Sequence, residues 1–209
     1  TTEIYTLSLH DALPICAWFF GVLLLVAAQA LAVDSPLTPP RHGGVYVVAH
    51  RGAHEGIPEN TLAAYQKAID LGCDFVEIDL RRTKDGKYVS IHNGTVDAYT
   101  GGAKGPVKGF TLEEIRALDV GSRVGPEWKD TRIPTFDEIL DLCQGKIGIY
   151  LDFKEGDLDE VAGIIKARGM EREVLWYIGA GPALRLREIC PACIDRKSTR
   201  LNSVTSVNL

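Results

Sequence analysis

Phe75-Val76-Glu77-Ile78-Asp79-Leu80 is an apolar run that carries two carboxylates two residues apart. Successive side chains of an extended strand alternate between faces, so Glu77 and Asp79 project from the same one. About a helix earlier, Val47-Val48-Ala49-His50-Arg51-Gly52 is a β-branched run that ends in His-Arg-Gly. Between the two runs, Leu62, Tyr65, Ala68 and Ile69 stand at helical spacing within residues 60–71. Asn60 or Thr61 caps that helix and Gly72 stops it. The unit reads strand, helix, strand.

The alternation continues along the chain. A third strand is expected at residues 88–92, after a Lys84-Asp85-Gly86-Lys87 turn, a fourth at 147–153, a fifth at 174–178 and the start of a sixth at 192–195. Helices are expected from the Thr135–Glu138 capping box to Gly145, at 157–168 before Gly169, and at 182–189. Residues 93–134 are long for a connection and form an insertion with a small helix opened by the Thr111–Glu114 capping box. Alternating strands and helices imply a parallel sheet with right-handed crossovers. A doubly wound sheet and a TIM-type (β/α)8 barrel both satisfy that pattern. No G-x-G-x-x-G follows the first strand, and ionisable residues sit at the ends of successive strands, so the barrel is preferred. The α/β barrel is expected to be truncated after about five to six strands, with both sheet edges unpaired and inactive as it stands. The reading frame is expected to continue past residue 195.

The 209 residues suit one domain, with hydrophobic residues at 45% and charged residues at 24%. A formal net charge of -5 argues against a general nucleic-acid surface. Composition assigns no oligomeric state. The ends read differently from the middle. Residues 16–32 are uncharged and apolar and close on Ala30-Leu31-Ala32, the pattern of a cleaved signal peptide, so export and no stable membrane span after cleavage are expected. The strongly apolar part is short for a span, which needs about 20 residues. Residues 33–44 are Pro-rich and read as a linker to a partial barrel at 45–195. Residues 1–15 resemble translated sequencing-library adapter, and residues 196–209 resemble its opposite-end version; both are expected to be foreign to the natural protein. Cys190-Pro191-Ala192-Cys193 lacks a second pair for zinc and a thioredoxin-like context, leaving a local disulfide or two free thiols as the plainer readings.

The strand ends carry the chemistry. His50 closes the first strand, Glu77 and Asp79 the second, His92 the third, and Asp152 and Lys154 the fourth. Glu77, Asp79 and Asp152 are hard oxygen donors suited to Ca²⁺ or Mg²⁺, whereas no zinc cage is present in the sequence. Two histidines beside such an ion suit general acid and base roles, and Arg51 and Lys154 add positive charge for an anionic substrate. Together they suggest phosphodiester cleavage. Each residue also has a plainer reading: His50 as a strand-end histidine on a backbone carbonyl, Glu59 as a helix-start acid, Lys154 as a lysine whose stem covers apolar surface.

The ordered set His50-Arg51-Gly52, Pro58-Glu59-Asn60-Thr61, Glu77-Ile78-Asp79, Ile91-His92 and Asp152-Phe153-Lys154 resembles the glycerophosphodiester phosphodiesterase family. The resemblance covers residues 45 to about 179. It implies a TIM barrel and hydrolysis of a small-molecule glycerophosphodiester to glycerol 3-phosphate and an alcohol. It also implies His50 and His92 as the acid/base pair, and Glu77, Asp79 and Asp152 as ligands of a divalent cation. Glu59 is implied near the metal or Arg51. In such enzymes a glycerol hydroxyl attacks phosphorus first, and water opens the cyclic phosphate. Two departures stand out. The family has Asp after its second histidine where this chain has Asn93, and commonly Glu where this chain has Asp152. Two other readings stay open: a related lyase that stops at the cyclic phosphate, and a catalytically silent phosphodiester-binding module.

Overall fold

The computed structural model describes residues 37–196 and 204–207. The chain divides into two units, Thr1–Ser35 and Pro36–Leu209. The first unit, which holds the segment expected to be adapter-derived and the expected signal peptide, lies outside the described residues.

The second unit is built on one sheet. Its strands are β1 (Tyr46–Ala49), β2 (Phe75–Arg82), β3 (Tyr88–Ser90), β4 (Gly148–Phe153), β5 (Val174–Tyr177), β6 (Ile194–Asp195) and β7 (Val204–Val207), in the order β6-β5-β4-β2-β1-β7. Every pairing along that path is parallel. The helices are α1 (Leu62–Asp70), α2 (Leu112–Ala117), α3 (Phe136–Cys143), α4 (Leu158–Ala167) and α5 (Ala180–Ile189). Strands β1, β2, β4, β5 and β6 form a partial (β/α) barrel, because parallel neighbours require a crossover and the helices supply it.

Register fixes which residues share a face. Val48 pairs with Phe75, Phe75 with Gly148, Glu77 with Tyr150, Asp79 with Asp152, and Asp152 with Tyr177. All of these lie on the inner face, in successive layers. Its lower layers form an apolar cluster of Tyr46, Val48, Phe75, Tyr150, Leu175 and Ile194 with Leu37 beneath. A Cβ at Gly148 would lie 2.5 Å from the Phe75 ring, so that ring needs the glycine beside it. The outer face, with Val76, Ile78, Ile149, Leu151 and Trp176, packs under the helices against residues such as Tyr65, Leu140 and Ile165. Burying such side chains stabilises by about 1.5–3 kcal/mol each.

The helices begin where their caps dictate. Thr61, not Asn60, caps α1, accepting from Ala64 N, while Thr111 and Thr135 form complete capping boxes with Glu114 and Glu138. Helix α5 starts two residues earlier than its spacing suggests. Cys190 and Cys193 form a disulfide between α5 and β6, which settles the two plainer readings of that pair.

Three expectations are corrected. β3 is antiparallel to β2, pairing Leu80 with Ser90 and Arg82 with Tyr88, so it extends a hairpin and is not a barrel stave. A turn as short as 83–87 can return a strand only antiparallel. Residues 37–44 are not a bare linker: Arg41 N donates to Asp74 Oδ1 at 2.8 Å, Tyr46 Oη donates to Thr38 O at 2.8 Å, and Leu37 is buried. The edge at β1 is not open, because β7 pairs along its whole length, from Tyr46 with Val204 to Ala49 with Val207. β7 falls in the segment expected to be foreign.

The insertion at 93–134 has its own small core of Val96, Tyr99, Val107, Ile115, Val120 and Ile133, into which β3 and its continuation contribute Val89 and Ile91.

Candidate active site

His50 follows β1 directly, and the chain then turns through two left-handed residues, Arg51 at φ +56° and Gly52 at φ +86°. Gly52 needs both its conformation and its lack of a side chain, since a Cβ there would lie 2.7 Å from Ala64 Cβ. Asn60 is also left-handed, at φ +55°, and its N–H donates to Arg51 O at 2.9 Å. Non-glycine residues in this region cost about 1 kcal/mol or more each and persist where the surroundings over-determine them. Here the turn aims the Arg51 N–H at Glu77 Oε2, 2.8 Å away.

Glu77, Asp79 and Asp152 converge. Each offers one oxygen within 4.8 Å of the other two. The parallel β2–β4 register accounts for this, because it sets Asp79 level with Asp152 and Glu77 one layer below. Glu77 is buried, and that burial, with the Asp79 charge next in weight, pushes its carboxyl up to about 8, against opposition from the Arg51 N–H. Asp79 is wholly buried. Its Oδ2 accepts from Asn60 Nδ2 at 2.9 Å and has Arg51 Nε at 3.8 Å. Its Oδ1 has Lys154 Nζ at 3.3 Å but no aligned hydrogen bond. A buried carboxylate oxygen without a hydrogen bond, facing two further carboxylates, fits a hard divalent cation.

Lys154 ion-pairs with Asp152 as well as Asp79. Burial lowers its pKa, but the two carboxylates outweigh that and the net shift is upward. The ammonium therefore stays charged beside the acidic trio. Arg51 Nη1 donates to both Glu59 oxygens, at 3.2 and 3.3 Å. Glu59 thus orients Arg51 and stands outside the trio of possible ligands. His50, Glu77, Asp152, Tyr150 and Tyr177 line one cavity of about 250 Å³ on the inner face. His92 lies just after β3, with its carbonyl oxygen held by Arg81 Nη2 at 2.7 Å and its Nδ1 3.0 Å from Asn93 Oδ1.

Three residues position the site in a way that was not read from sequence. Asn60 Oδ1, the Tyr65 hydroxyl and the Ser90 hydroxyl meet at 2.8 to 3.0 Å, and Ser90 Oγ accepts from Asp79 N at 3.2 Å. Two hydroxyl protons serve three contacts, so only two can be hydrogen bonds at once. This buried triangle is what fixes the Asn60 amide against Asp79. The only sequence signal for it was the Asn in Pro58-Glu59-Asn60. Trp128, given no role from sequence, ties the insertion to the β1–α1 loop by donating Nε1–H to Gly56 O at 2.7 Å.

A model of the glycerophosphoryl diester phosphodiesterase family matches residues 50–174, the stretch that carries the trio, His50, His92 and Lys154. The chain belongs to that family. A glycerophosphodiester phosphodiesterase from Caldanaerobacter subterraneus subsp. tengcongensis is 43% identical over 129 residues, 62% of this chain and 50% of the relative. A crystal structure of glycerophosphodiester phosphodiesterase from Agrobacterium tumefaciens str. C58 superposes with a TM-score of 0.67 at 33% identity, covering 72% of this chain and 65% of that one. An Oleispira antarctica phosphodiesterase in complex with the product sn-glycerol-3-phosphate superposes at 0.62 with 26% identity, covering 72% and 64%. The chain spans about half the length of the curated relatives it matches. The family membership and the parallel staves together make the fold a TIM-type barrel, of which this chain supplies five strands.

Proposed function

We propose that the complete protein is a metal-dependent phosphodiesterase that hydrolyses glycerophosphodiesters to glycerol 3-phosphate and an alcohol. The observation that carries this reading is the convergence of three carboxylates within 4.8 Å beside a cavity walled by His50. The product bound in the Oleispira antarctica relative supports the substrate class.

Glu77, Asp79 and Asp152 would hold the ion, Ca²⁺ or Mg²⁺, which when bound stabilises charge on the phosphoryl oxygens. The remaining work falls to this chain's own side chains. Lys154 supplies positive charge at the rim for the substrate phosphate, and Arg51, steadied by Glu59, supplies a second. His50 and His92 act as the acid/base pair. Asn93 Oδ1 accepts from His92 Nδ1, which leaves Nε2 as the nitrogen with a lone pair. An Asp at position 93 would orient the ring in the same way and add a charge. The exchange therefore preserves the orienting contact, which weakens the silent-module reading. Export is part of the proposal, and the Cys190–Cys193 disulfide supports it, since such bonds persist in oxidising compartments. Among the described residues no helix is long and apolar enough to cross a membrane.

The test is phosphorus NMR of glycerophosphocholine incubated with the protein from its complete reading frame and Ca²⁺ or Mg²⁺. Glycerol 3-phosphate is the expected product. A persistent cyclic phosphate would make the protein a lyase, and binding without turnover would make it a binding module.

A further inference from the structure

Tyr99 belongs to the insertion, yet its hydroxyl reaches the catalytic segments. Asn93 N–H donates to Tyr99 Oη at 3.2 Å, and Asn93 is the residue whose Oδ1 meets His92 Nδ1 at 3.0 Å. The Glu59 carboxylate acts on the same hydroxyl through its charge. Burial is the main reason that the Tyr99 pKa is raised, and Glu59 adds to it. Glu59 in turn holds Arg51. The ring is buried in the insertion core, and the Arg123 guanidinium lies 5.2 Å from its centroid. One phenolic oxygen therefore grips the His92 turn from a ring that cannot shift without disturbing the insertion core.

A phenol can accept one hydrogen bond and donate another at the same time. Here it accepts from the Asn93 backbone, and the Glu59 charge raises its pKa. Fixing the Asn93 backbone fixes where its Cβ stands and so limits where its side-chain oxygen can lie. The contact of that oxygen with His92 Nδ1 restrains the ring and the nitrogen that carries its proton. Arg81 restrains the same turn from the barrel side, through the carbonyls of Ile91 at 3.2 Å and His92 at 2.7 Å. The His92–Asn93 peptide is thus gripped at both ends, its carbonyl by Arg81 from β2 and its N–H by Tyr99 from the insertion.

We propose that Tyr99 is a positioning residue, by which the insertion holds the His92 imidazole in place through Asn93. The proposal rests on the phosphodiesterase reading. It gives the insertion a part in the reaction.

The experiment is Tyr99→Phe in the protein from its complete reading frame. Phe keeps the ring and its core contacts and removes one oxygen. With glycerophosphocholine and Mg²⁺ or Ca²⁺, kcat is expected to fall about ten-fold with KM within about two-fold, since the residue touches no substrate. In ¹⁵N NMR the wild-type His92 is expected in a single tautomer with its proton on Nδ1, and the variant in a mixture of the two. A merely structural role would lower the melting temperature and leave the tautomer unchanged. The same kcat and the same His92 spectrum in wild type and variant would overturn the proposal. If the wild type itself shows no turnover, the phosphodiesterase reading fails, while the tautomer measurement still judges the contact. Should Tyr99→Phe not fold, amide exchange in the wild type decides: Asn93 N–H is expected to exchange at least about ten-fold more slowly than exposed amides of the insertion. Free exchange at Asn93 would overturn the proposal as well.

Discussion

The inner face of the sheet holds two unlike regions only one layer apart. Tyr46, Val48, Phe75, Leu175 and Ile194 make a dry floor, while Glu77, Asp79, Asp152 and Lys154 make an ionic rim on the same strands. The floor is ordinary hydrophobic burial and stabilises the fold. The rim does the reverse. Its acids are crowded and desolvated, and Glu77 answers by holding its proton up to about pH 8. The comparison teaches that the floor creates the strain of the rim. Burial against it leaves Glu77 protonated at neutral pH beside Asp79 and Asp152, whose charges Lys154 meets, so that a cation would take the place of the Glu77 proton.

Substitutions in the two regions should fail in opposite ways. His50→Ala at the rim is expected to cut kcat by about 10²–10⁴-fold while metal affinity and melting temperature hold, as kinetics and calorimetry on one preparation would check. Loss of metal affinity together with the rate would break the division between proton transfer and ion binding. Phe75→Ala in the floor is expected to cost about 3–5 kcal/mol in urea unfolding, because the ring beside Gly148 leaves a cavity that no neighbour fills. A loss below about 1 kcal/mol would show that the floor does not support the rim.

The third prediction concerns pH. The folded pKa of Glu77 lies above its ordinary 4.5, so the folded, metal-free chain binds more protons than the unfolded chain between pH 4.5 and about 8. Stability should therefore fall as pH rises through that window, by up to a few kcal/mol in all, and level off above it. Glu77→Gln, which cannot ionise, should flatten the slope and abolish the metal response. An unchanged slope would place the pH dependence elsewhere. The smallest effect is expected at Thr61, outside both regions: Thr61→Ala removes the α1 cap and should cost about 1 kcal/mol with little change in metal affinity.

Much of this was legible in the residues. The β-branched runs with Glu77-x-Asp79 and Asp152-x-Lys154 announce strands whose alternate positions share a face, and the helix caps fall where Thr and Gly place them. The shared face of the acids follows from that periodicity, whereas the barrel needed the ionisable strand ends, the missing G-x-G-x-x-G and the family resemblance to separate it from a doubly wound sheet. The orientation of β3 does not, because alternation is the same in parallel and antiparallel strands. The Asp85-Gly86 pair inside a short turn was the available signal for a hairpin. The buried triangle of Asn60, Tyr65 and Ser90 joins residues 25 and 30 apart in sequence, and each taken alone is a common helix or strand residue. Tyr99 reads from sequence as lining the substrate entrance or as plain packing, and its grip on Asn93 is in neither reading, since a core tyrosine and one that grips Asn93 are the same letter. Leu37 was read as linker because Pro-rich composition describes the backbone and says nothing of the floor that a single leucine can close.

The most direct measurement is isothermal titration of the chain with Ca²⁺ and with Mg²⁺ at pH 7 in buffers of different ionisation heat. The account predicts one ion bound per chain, nearly one proton released as Glu77 ionises, and loss of both signals in Glu77→Gln and Asp79→Asn. An ion that binds without proton release, or equally well to those variants, would contradict it.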